Sequence, residues 1–423
     1  MTEPAGTAMR GEYREITIRP LPVRYSGNGL RSVPLEATLA DIESFFLESG
    51  LEVQFQMFRR SSDESTRAIL EYLSPEGEED DEKYSGKGAT EVQALVSACL
   101  EFVERQCSKL SKADVLTEAS FREVASTARD PRSFNLAPNK GTDPGQVIDW
   151  VWGQSVTRSE PVLVPANLVF CPYQSDESDK FIAWTDSNGL ASGNNLEEAI
   201  LHGLLEVVER DAVVISEFNR LPQSGITLED APAEVAHLTG RLAGNGYRCS
   251  CRTAMTDLPI PAVSCFLQHE QDPDNCSVAF GCHLDPGLAL MRAVTEAIQL
   301  LPPAVNHEAW VQSGSPRYYE STPPKTSAFR NLENLASGDL ERNIETCVSM
   351  LAKVGAEVIV VDLSLPGIPF SAVRVLATGL QPLVHEDDRR LSKRFFEVPA
   401  VLGHRSAPTD PESVAFWPIV GYR

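Results

Sequence analysis

Long apolar runs are absent from this 423-residue sequence. None approaches the ~20 residues that a membrane-spanning helix needs, and the N-terminus lacks the apolar core of a signal peptide. The sequence therefore excludes a helical membrane protein and predicts a cytoplasmic protein with no membrane contact. With 42% hydrophobic residues, the chain is long enough to bury one large core or two medium ones.

Paired cysteine motifs are absent as well. The chain has nine cysteines, an odd number, and none of them forms a Cys-x-x-Cys pair. This usage predicts reduced thiols rather than a disulfide framework or a zinc site. Cys249 and Cys251 are compatible with a redox pair or with two positions on one face of a strand, and the strand is the favoured interpretation.

Positive charge is scarce. The 37 lysines and arginines face 60 aspartates and glutamates, which leaves a net charge of −23. Such a balance argues against nonspecific nucleic-acid binding, because that binding depends on neutralising phosphates. It suits a partner protein or a substrate peptide that carries basic groups.

A Walker A loop is missing. Lys87 stands between two glycines, but the upstream glycine and the downstream Ser or Thr of that loop are not at the required spacing. Lys87 is therefore either a turn residue or an isolated phosphate contact. The absence of such loops disfavours the common kinases and ligases.

What the chain does contain is a duplicated polar pattern. Two segments 105 positions apart each have a glycine thirteen residues, and an alanine seven residues, before a Glu-x-x-Glu-Arg unit. The first segment comprises Gly88, Ala94, Ser97, Glu101, Glu104 and Arg105, and the second comprises Gly193, Ala199, His202, Glu206, Glu209 and Arg210. Residues at these spacings lie on one side of a helix, so each segment is predicted to be a helix with a single polar stripe.

Apolar residues enclose the stripe of the second helix. Leu201, Leu204, Leu205, Val207 and Val208 cover most of its circumference, whereas an ordinary surface helix has a broad polar face. The alternative is a pair of solvated amphipathic helices with intrahelical charge pairs. The matched register of the two copies favours carboxylates that face an internal cleft.

A third segment repeats the scheme with different residues. Asp285-Pro286 has the form of a helix start, and Arg292, Glu296 and Gln299 then take the positions of His202, Glu206 and Glu209. Glutamates from three helices that converge must raise their pKa values or hold a divalent cation. Oxygen ligands without a Cys or His cluster favour Mg²⁺, which commonly accompanies a nucleotide. Arg210 and Arg292 are then expected to face phosphates, and the glycines to let backbone N–H groups approach the nucleotide.

Three segments resemble, in order, the three signatures of the YcaO-domain family. The matching runs are Ser85-Gly86-Lys87-Gly88-Ala89-Thr90 with the first Glu-x-x-Glu-Arg, Asn188-Gly189-Leu190-Ala191-Ser192-Gly193-Asn194 with the second, and Gly281-x-His283-x-Asp285-Pro286 with Arg292 to Gln299. The similarity spans roughly residues 30–405. We therefore expect an N-terminal extension at 1–30, a YcaO domain at 31–405 with subregions 31–130, 131–330 and 331–405, and a C-terminal tail at 406–423.

The resemblance implies a fold, cofactors and an activity. The expected fold is α/β, with mixed sheets and three helices that carry a glutamate-rich site for ATP and Mg²⁺. The implied metal ligands are Glu101, Glu104, Glu206, Glu209 and Glu296, and the implied ATP contacts are Ser97, Asn194, Glu198, Arg210 and Arg292. Family members phosphorylate the oxygen of a peptide-backbone amide, and a nucleophile then replaces it to give an azoline, a thioamide or an amidine. No residue of this chain is assigned as the nucleophile, because the substrate or a cosubstrate supplies it.

The sequence departs from the family in two places. Some members contact phosphate with a lysine before the first helix, whereas this chain has no lysine before Lys83. Arg24, Arg31, Arg59 and Arg60 are the candidates to replace it. The chain also lacks the alternating prolines with which many azoline-forming members end, which slightly favours a thioamide or amidine product.

The expected partners follow from the same resemblance. They are a precursor peptide or protein as substrate, a TfuA-like or E1-like partner protein, and a second copy in a homodimer. The alternative function is that of a non-catalytic accessory or docking factor, for ribosomal protein S12 methylthiolation or for a peptide-modifying complex. The presence of all five glutamates and both arginines favours catalysis, because a subunit that only docks other proteins would have no need to keep them.

The remaining pattern predicts alternating strands and helices, as in an α/β fold. Helices are expected at 37–50 and 335–354, the second of them capped by Gly355. Strands are expected at 13–18, 53–58, 147–156, 161–165, 356–363 and 371–377. We also expect an acidic exposed loop at 76–82, a second loop at 129–142, and a turn at 272–275 before the strand that leads to His283.

Overall fold

The structure is a computed structural model, and it describes most of the chain. The described residues are 13–25, 29–59, 66–72, 82–88, 90–111, 114, 116–141, 143–173, 180–302, 304, 306–383 and 391–414. Within this part of the chain, no helix combines the length and the apolar composition that a membrane span requires.

The described residues form an α/β arrangement of ten α-helices and fourteen strands. The helices are α1 (Leu35–Ser49), α2 (Glu91–Ser108), α3 (Phe121–Val124), α4 (Leu196–Phe218), α5 (Ala233–Gly244), α6 (Pro286–Gln299), α7 (His307–Gln312), α8 (Pro316–Glu320), α9 (Leu340–Lys353) and α10 (Lys393–Val401). The strands are β1 (Val53–Arg59), β2 (Thr66–Tyr72), β3 (Glu82–Gly88), β4 (Thr117–Ser120), β5 (Val147–Ser155), β6 (Glu160–Pro165), β7 (Leu190–Gly193), β8 (Gly225–Thr227), β9 (Tyr247–Thr253), β10 (Ala262–His269), β11 (Asp272–Cys282), β12 (Thr326–Ala328), β13 (Val358–Asp362) and β14 (Ser371–Ala377).

The strands form three sheets. A small antiparallel sheet has the order β1-β2-β3, and a five-stranded sheet has the order β11-β10-β9-β8-β12 with a parallel β8–β12 pair. A six-stranded sheet has the order β4-β5-β13-β14-β7, with β6 paired to β5. This α/β architecture with mixed sheets agrees with the predicted fold class.

The six-stranded sheet is buried on both faces, which explains why its central strands are almost wholly apolar. Val358 and Val360 belong to the core that contains α4 and α9. The alternate residues Ile359 and Val361 belong to the core that contains α2. The Ser192 hydroxyl also donates to the Leu100 carbonyl oxygen at 2.8 Å, which joins β7 to α2.

Glycines allow two of the polar helices to pack closely on the strands that precede them. A Cβ at Gly86 of β3 would lie 2.0 Å from the Ala94 carbonyl oxygen, and a Cβ at Gly281 of β11 would lie 2.1 Å from the Ala289 carbonyl oxygen. Real Cβ atoms do not approach a backbone oxygen so closely, so these positions exclude every other residue type. The close approach lets each helix begin directly over its strand.

Most of the predicted elements are present. The helix expected at 37–50 is α1, and Gly50 ends it in the left-handed conformation at φ 67°. The strands expected at 53–58, 147–156, 161–165, 356–363 and 371–377 correspond to β1, β5, β6, β13 and β14. The predicted loop at 129–142 is confirmed over its described residues, with a short 3-10 turn at Pro131–Ser133.

Three local predictions were wrong. Residues 13–18 form no strand, because the Gln154 side chain rather than a neighbouring strand bonds the Ile16 N–H (2.7 Å) and carbonyl (3.0 Å). The helix expected from residue 335 begins at Leu340, because the Asp339 side chain caps it. The chain reverses at 270–271 rather than at 272–275, so β11 already begins at Asp272.

The acidic loop predicted at 76–82 lies almost wholly outside the described residues.

The close packing of α6 on β11 predicts an asymmetric response to two glycine substitutions. Gly281→Ala should destabilise the fold by about 3 kcal/mol, because its Cβ meets backbone atoms that cannot move aside. Gly240→Ala is the matched control: this glycine is exposed within α5, and its Cβ would have nothing within 4 Å. We expect Gly240→Ala to stabilise by up to ~1 kcal/mol through helix propensity. Thermal unfolding of the two variants measures both effects, and equal midpoints would contradict the packing argument.

Candidate functional site: a carboxylate-lined cleft

Side chains from α2, α4 and α6 meet at one cleft. Lys87, at the end of the strand before α2, places its Nζ 2.6 Å from Glu296 Oε2 on α6. Glu209 on α4 accepts a hydrogen bond from the Cys282 backbone N–H at 2.9 Å, at the end of the strand before α6. The three polar segments that are far apart in sequence are thus neighbours in the fold.

The five predicted glutamate ligands all lie at this cleft. Glu104 of α2 interacts electrostatically with Glu206 of α4, and Glu209 of α4 interacts with both Glu206 and Glu296. All but Glu209 keep part of their surface accessible to solvent. They therefore line a cleft rather than fill a core, as the enclosed stripes predict.

Cations are interleaved with these carboxylates. Arg210 places its Nη2 3.2 Å from Glu206 and its Nη1 3.7 Å from Glu209. Arg105 lies 3.9 Å from Glu101. The cations partly offset the repulsion between the carboxylates, and Arg210 lies at the centre of the group on α4.

The cleft shifts the pKa values of its acids in different directions. Burial raises the pKa of Glu101 and Glu209, and it raises the pKa of Glu104 well above the ordinary value. Burial would also raise the pKa of Glu296, but the charges of Lys87 and Arg210 outweigh it and lower that pKa. Glu101, Glu104 and Glu209 therefore lack enough nearby positive charge to offset their burial, whereas Glu296 has Lys87 and Arg210 beside it.

A second group of polar residues surrounds the start of α4. Glu198 accepts from the Ser32 N–H at 2.8 Å, from the Ser32 hydroxyl at 2.7 Å, and from Asn194 Nδ2 at 2.7 Å. The Thr38 hydroxyl donates to Asn194 Oδ1 at 2.9 Å. Two of the predicted ATP contacts, Asn194 and Glu198, are thus held by the segment before α1 and by α1 itself.

Arg31 is the arginine that the structure brings to the cleft. Its Nη1 lies 3.9 Å from Glu198 Oε2, and burial together with the nearby charge of Arg292 lowers its pKa, although Glu198 opposes the shift. Arg24 is exposed. The side chains of Arg59 and Arg60, the other candidates to replace the family lysine, lie outside the described residues.

The remaining predicted ATP contacts have fewer fixed partners. Arg292 has a buried Nε without a hydrogen-bond partner among the described residues. Ser97 lies half-buried on α2. An unsatisfied guanidinium next to hard oxygen ligands fits a bound polyphosphate with Mg²⁺, because phosphate oxygens would accept from it and the carboxylates would hold the metal.

Two histidines near the cleft have lowered pKa values. The side chain of His202 is open to solvent within the cleft, and the protein enclosing it, together with the charges of Arg292 and Arg31, lowers its pKa. Burial and Arg292 likewise lower the pKa of His283 to about 3. His283 Nδ1 accepts from the Asp285 N–H at 3.0 Å, so this histidine shapes the start of α6.

Some residues of the cleft had no sequence motif to identify them. Ser32 and Thr38 lie in the segment before α1 and in α1, and only their contacts with Glu198 and Asn194 reveal them. Arg374 lies in the buried strand β14, is 4% exposed, and interacts with Glu104. A lone arginine between apolar strand residues is a signal that could have identified it.

Comparisons with known proteins agree with this geometry. A sequence profile of the YcaO cyclodehydratase family, described as ATP- and Mg²⁺-binding, matches residues 85–381. A protein of Methanothermobacter thermautotrophicus is 31% identical over 331 residues, which are 74% of this chain and 85% of the relative. A protein from the tfuA 3′ region of Rhizobium leguminosarum bv. trifolii is 30% identical over 332 residues, which are 70% of this chain and 76% of the relative.

Two solved structures share the fold. A heterocyclase in complex with substrate and cofactor superposes with a TM-score of 0.83 at 22% identity. The superposition covers 96% of this chain and 59% of the heterocyclase chain. YcaO from Methanopyrus kandleri, bound with AMPPCP and Mg²⁺, superposes with a TM-score of 0.70 at 26% identity and covers 88% of this chain and 98% of its own.

Fold and profile together define an ATP- and Mg²⁺-binding protein of the cyclodehydratase class. The chain belongs to the YcaO family.

The raised glutamate pKa values predict that Mg²⁺ stabilises the fold in a pH-dependent way. Acids whose folded pKa exceeds the unfolded value near 4.5 lose stability as pH rises through that interval, because the unfolded chain ionises first. A divalent cation relieves this penalty. We expect the rise in unfolding temperature caused by Mg²⁺ to be larger at about pH 8 than at about pH 5. Sodium chloride at equal ionic strength is the control, and an equal effect of the two salts would contradict the model.

Proposed function

We propose that this chain uses ATP and Mg²⁺ to phosphorylate the oxygen of a backbone amide in a peptide or protein, which a nucleophile then attacks. The observation that carries the proposal is the convergence of five glutamates and two arginines from three helices on one cleft. The M. kandleri relative, solved with AMPPCP and Mg²⁺, supports it.

The glutamates of the cleft would hold the metal, and the arginines would face the phosphates. The proposed metal ligands are Glu101, Glu104, Glu206, Glu209 and Glu296. When bound, Mg²⁺ neutralises charge on the phosphate oxygens and orients the transferred group. Arg210 and Arg292 donate to the phosphates, and Arg31 takes the place of the lysine that some family members use.

The other end of the nucleotide is proposed to lie at the start of α4. Asn194 and Glu198 are there, and both are positioned by hydrogen bonds to Ser32 and Thr38. Ser97, the third proposed contact, lies on α2 at the position that His202 takes on α4. The fixed partners hold these side chains in place before ATP arrives, which reduces the entropy cost of binding.

An amide needs this activation because its oxygen is a poor leaving group. Transfer of the γ-phosphoryl group forms a bond between phosphorus and the amide oxygen and releases ADP. Attack of the nucleophile at the amide carbon then breaks the carbon–oxygen bond and releases phosphate. The chain's part is to position the two reactants and to stabilise charge on the phosphoryl oxygens.

A small pocket next to Arg210 supports the proposal by offering a place for one side chain of the substrate. The space inside it that a water-sized molecule can reach is about 60 Å³, which is room for one side chain rather than for a whole ligand. Arg210 of α4 and Arg374 of β14 contribute to its wall, and Arg374 is held by two hydrogen bonds of 2.7 Å to Asp186. Its other lining residues are mostly apolar: Phe134, Leu168, Val207, Val375, Leu376, Ala377, Leu380 and Pro382.

This pocket lies on the side of Arg210 and Glu104, away from the group around Glu198 at the start of α4. An acceptor bound there would meet the phosphate end of the nucleotide rather than its adenosine end. We propose that the pocket takes an apolar side chain next to the amide that is phosphorylated. The substrate class is then a peptide segment with an aliphatic or aromatic residue at that position.

The proposal extends to the chemical product and to the partner protein. The proposed product is a thioamide, an amidine or an azoline. The similarity to a protein from a tfuA 3′ region supports a TfuA-type partner. The alternative is a non-catalytic accessory factor, and the cleft disfavours it because a docking subunit needs no enclosed carboxylates.

The metal-site proposal predicts unequal effects of two glutamate substitutions on α4. Glu206→Gln should weaken Mg²⁺-dependent binding of a non-hydrolysable ATP analogue roughly tenfold or more, because one ligand charge is lost. Glu197→Gln is the matched control, since this buried glutamate contacts Arg19 at 3.2 Å outside the cleft. Titration calorimetry with and without Mg²⁺ measures both. Equal affinities would show that Glu206 holds no metal.

The same two variants test catalysis. The parent is incubated with ATP, Mg²⁺ and candidate peptides, and phosphate release is followed together with the peptide mass. Oxygen-to-sulfur exchange and loss of water distinguish a thioamide from the ring-closed products. Binding of the analogue without any peptide-dependent release by the parent would favour the accessory role.

The acceptor pocket predicts a variant that separates substrate binding from ATP binding. Ala377→Phe should fill the pocket and lower peptide-stimulated phosphate release roughly tenfold, which corresponds to ~1.4 kcal/mol. Analogue binding should fall much less than phosphate release, because Ala377 is not itself one of the proposed ATP contacts. Ala236→Phe on the exposed face of α5 is the matched control. A variant that releases phosphate at the parent rate would exclude this pocket as the acceptor site.

A further inference from the structure

Three cysteine thiols meet on one face of the five-stranded sheet. Cys249 and Cys251 alternate along β9, and Cys265 lies directly opposite Cys251 on β10. The Cys249 sulfur is 3.5 Å from that of Cys265 and 3.8 Å from that of Cys251, and all three sulfurs lie within 4.8 Å of one another. Nothing in the spacing of the sequence connects Cys265 with the other two.

The cluster lies in the apolar core under α5 and α6. Cys251 is 3% exposed, Cys265 is fully buried, and Cys249 is half-buried at the edge of that core. Its neighbours there include Leu242 and Ala293. In the described part of the chain, this is the one place where three potential metal-ligand atoms come this close together.

The sulfur separations match those around a single metal ion. Three sulfurs at ~2.3 Å from a central ion, in a trigonal plane, are ~4.0 Å from one another. The observed separations of 3.5 and 3.8 Å are close to this value. They are far longer than a disulfide bond of ~2.05 Å. The three side chains therefore need only small rotations to share one ligand.

We propose that Cys249, Cys251 and Cys265 form a binding site for a thiophilic metal ion, with Cu(I) as the favoured ion. Thiolates are soft ligands and select soft cations. A structural zinc site has four protein ligands, and the described residues offer no fourth Cys, His or carboxylate at this place. Three thiolates in an apolar setting suit the low coordination number of Cu(I).

The geometry also indicates where the metal ion enters the site and what is released when it binds. Cys249, the most accessible of the three, is the point at which the ion enters. Binding forms metal–sulfur bonds and releases thiol protons to solvent, with no change in oxidation state. The cluster lies under the apolar face of α6, whereas Arg292 and Glu296 lie on the other side of that helix. The site is thus separate from the proposed nucleotide cleft and rests on none of its assignments.

The test is Cu(I) uptake by the full-length, reduced protein under anaerobic conditions, in competition with a chromogenic Cu(I) chelator. We expect one ion per chain, and an affinity at least about 100-fold weaker in Cys249→Ser and in Cys265→Ser. Cys347→Ser is the matched control, since this buried cysteine of α9 lies outside the cluster. X-ray absorption should show a shell of sulfur neighbours only.

Several results would overturn the proposal. They are equal uptake by the parent and both cluster variants, loss of uptake in Cys347→Ser alone, or nitrogen and oxygen neighbours in the absorption spectrum. Tighter binding of Zn(II) than of Cu(I) would overturn the assignment of a monovalent ion. Circular dichroism of each variant checks that a loss of binding is not caused by a loss of fold. If Cys265→Ser does not fold, the test relies on Cys249→Ser, because Cys249 is only half-buried.

Discussion

The repulsion among carboxylates that the fold forces together is the constraint on which this structure depends. Five glutamates from three helices share a cleft whose walls raise the pKa of three of them. Arg210 and Lys87 offset only part of that charge. A protein gains nothing in stability from such an arrangement, so a cation and a polyphosphate account for it better than folding does.

The sequence was sufficient to predict this cleft because its residues follow helical spacing. The Glu-x-x-Glu-Arg units, repeated in register, placed Glu101, Glu104, Glu206 and Glu209 on stripes, and the structure brings those stripes together. Helix α1 and strand β14 were predictable for a similar reason, since apolar periodicity and Gly50 are local signals. Local rules worked for these elements, although they misplaced the start of α9 and the turn before β11 by a few residues.

The larger failures arose where the decisive partner is distant in sequence. The Gln154 side chain occupies the backbone groups of Ile16, so the apparent strand at 13–18 has no ladder to join. Ser32 is 166 positions from Glu198, and Cys265 reaches Cys249 only through the register of two strands. No motif could reveal these neighbours. They depend on how strands and helices are arranged in space.

The separation of the cleft residues along the chain also bears on how the protein folds. Lys87 meets Glu296 across 209 positions, and Ser32 meets Glu198 across 166. Contacts between such distant segments form late in folding. The chain must first lose conformational entropy to close the long loop between them, and only then do the contacts stabilise the fold. The carboxylate-lined cleft is therefore expected to be among the last parts of the molecule to assemble. A chain that has not finished folding would lack it, even with most of its sheets in place.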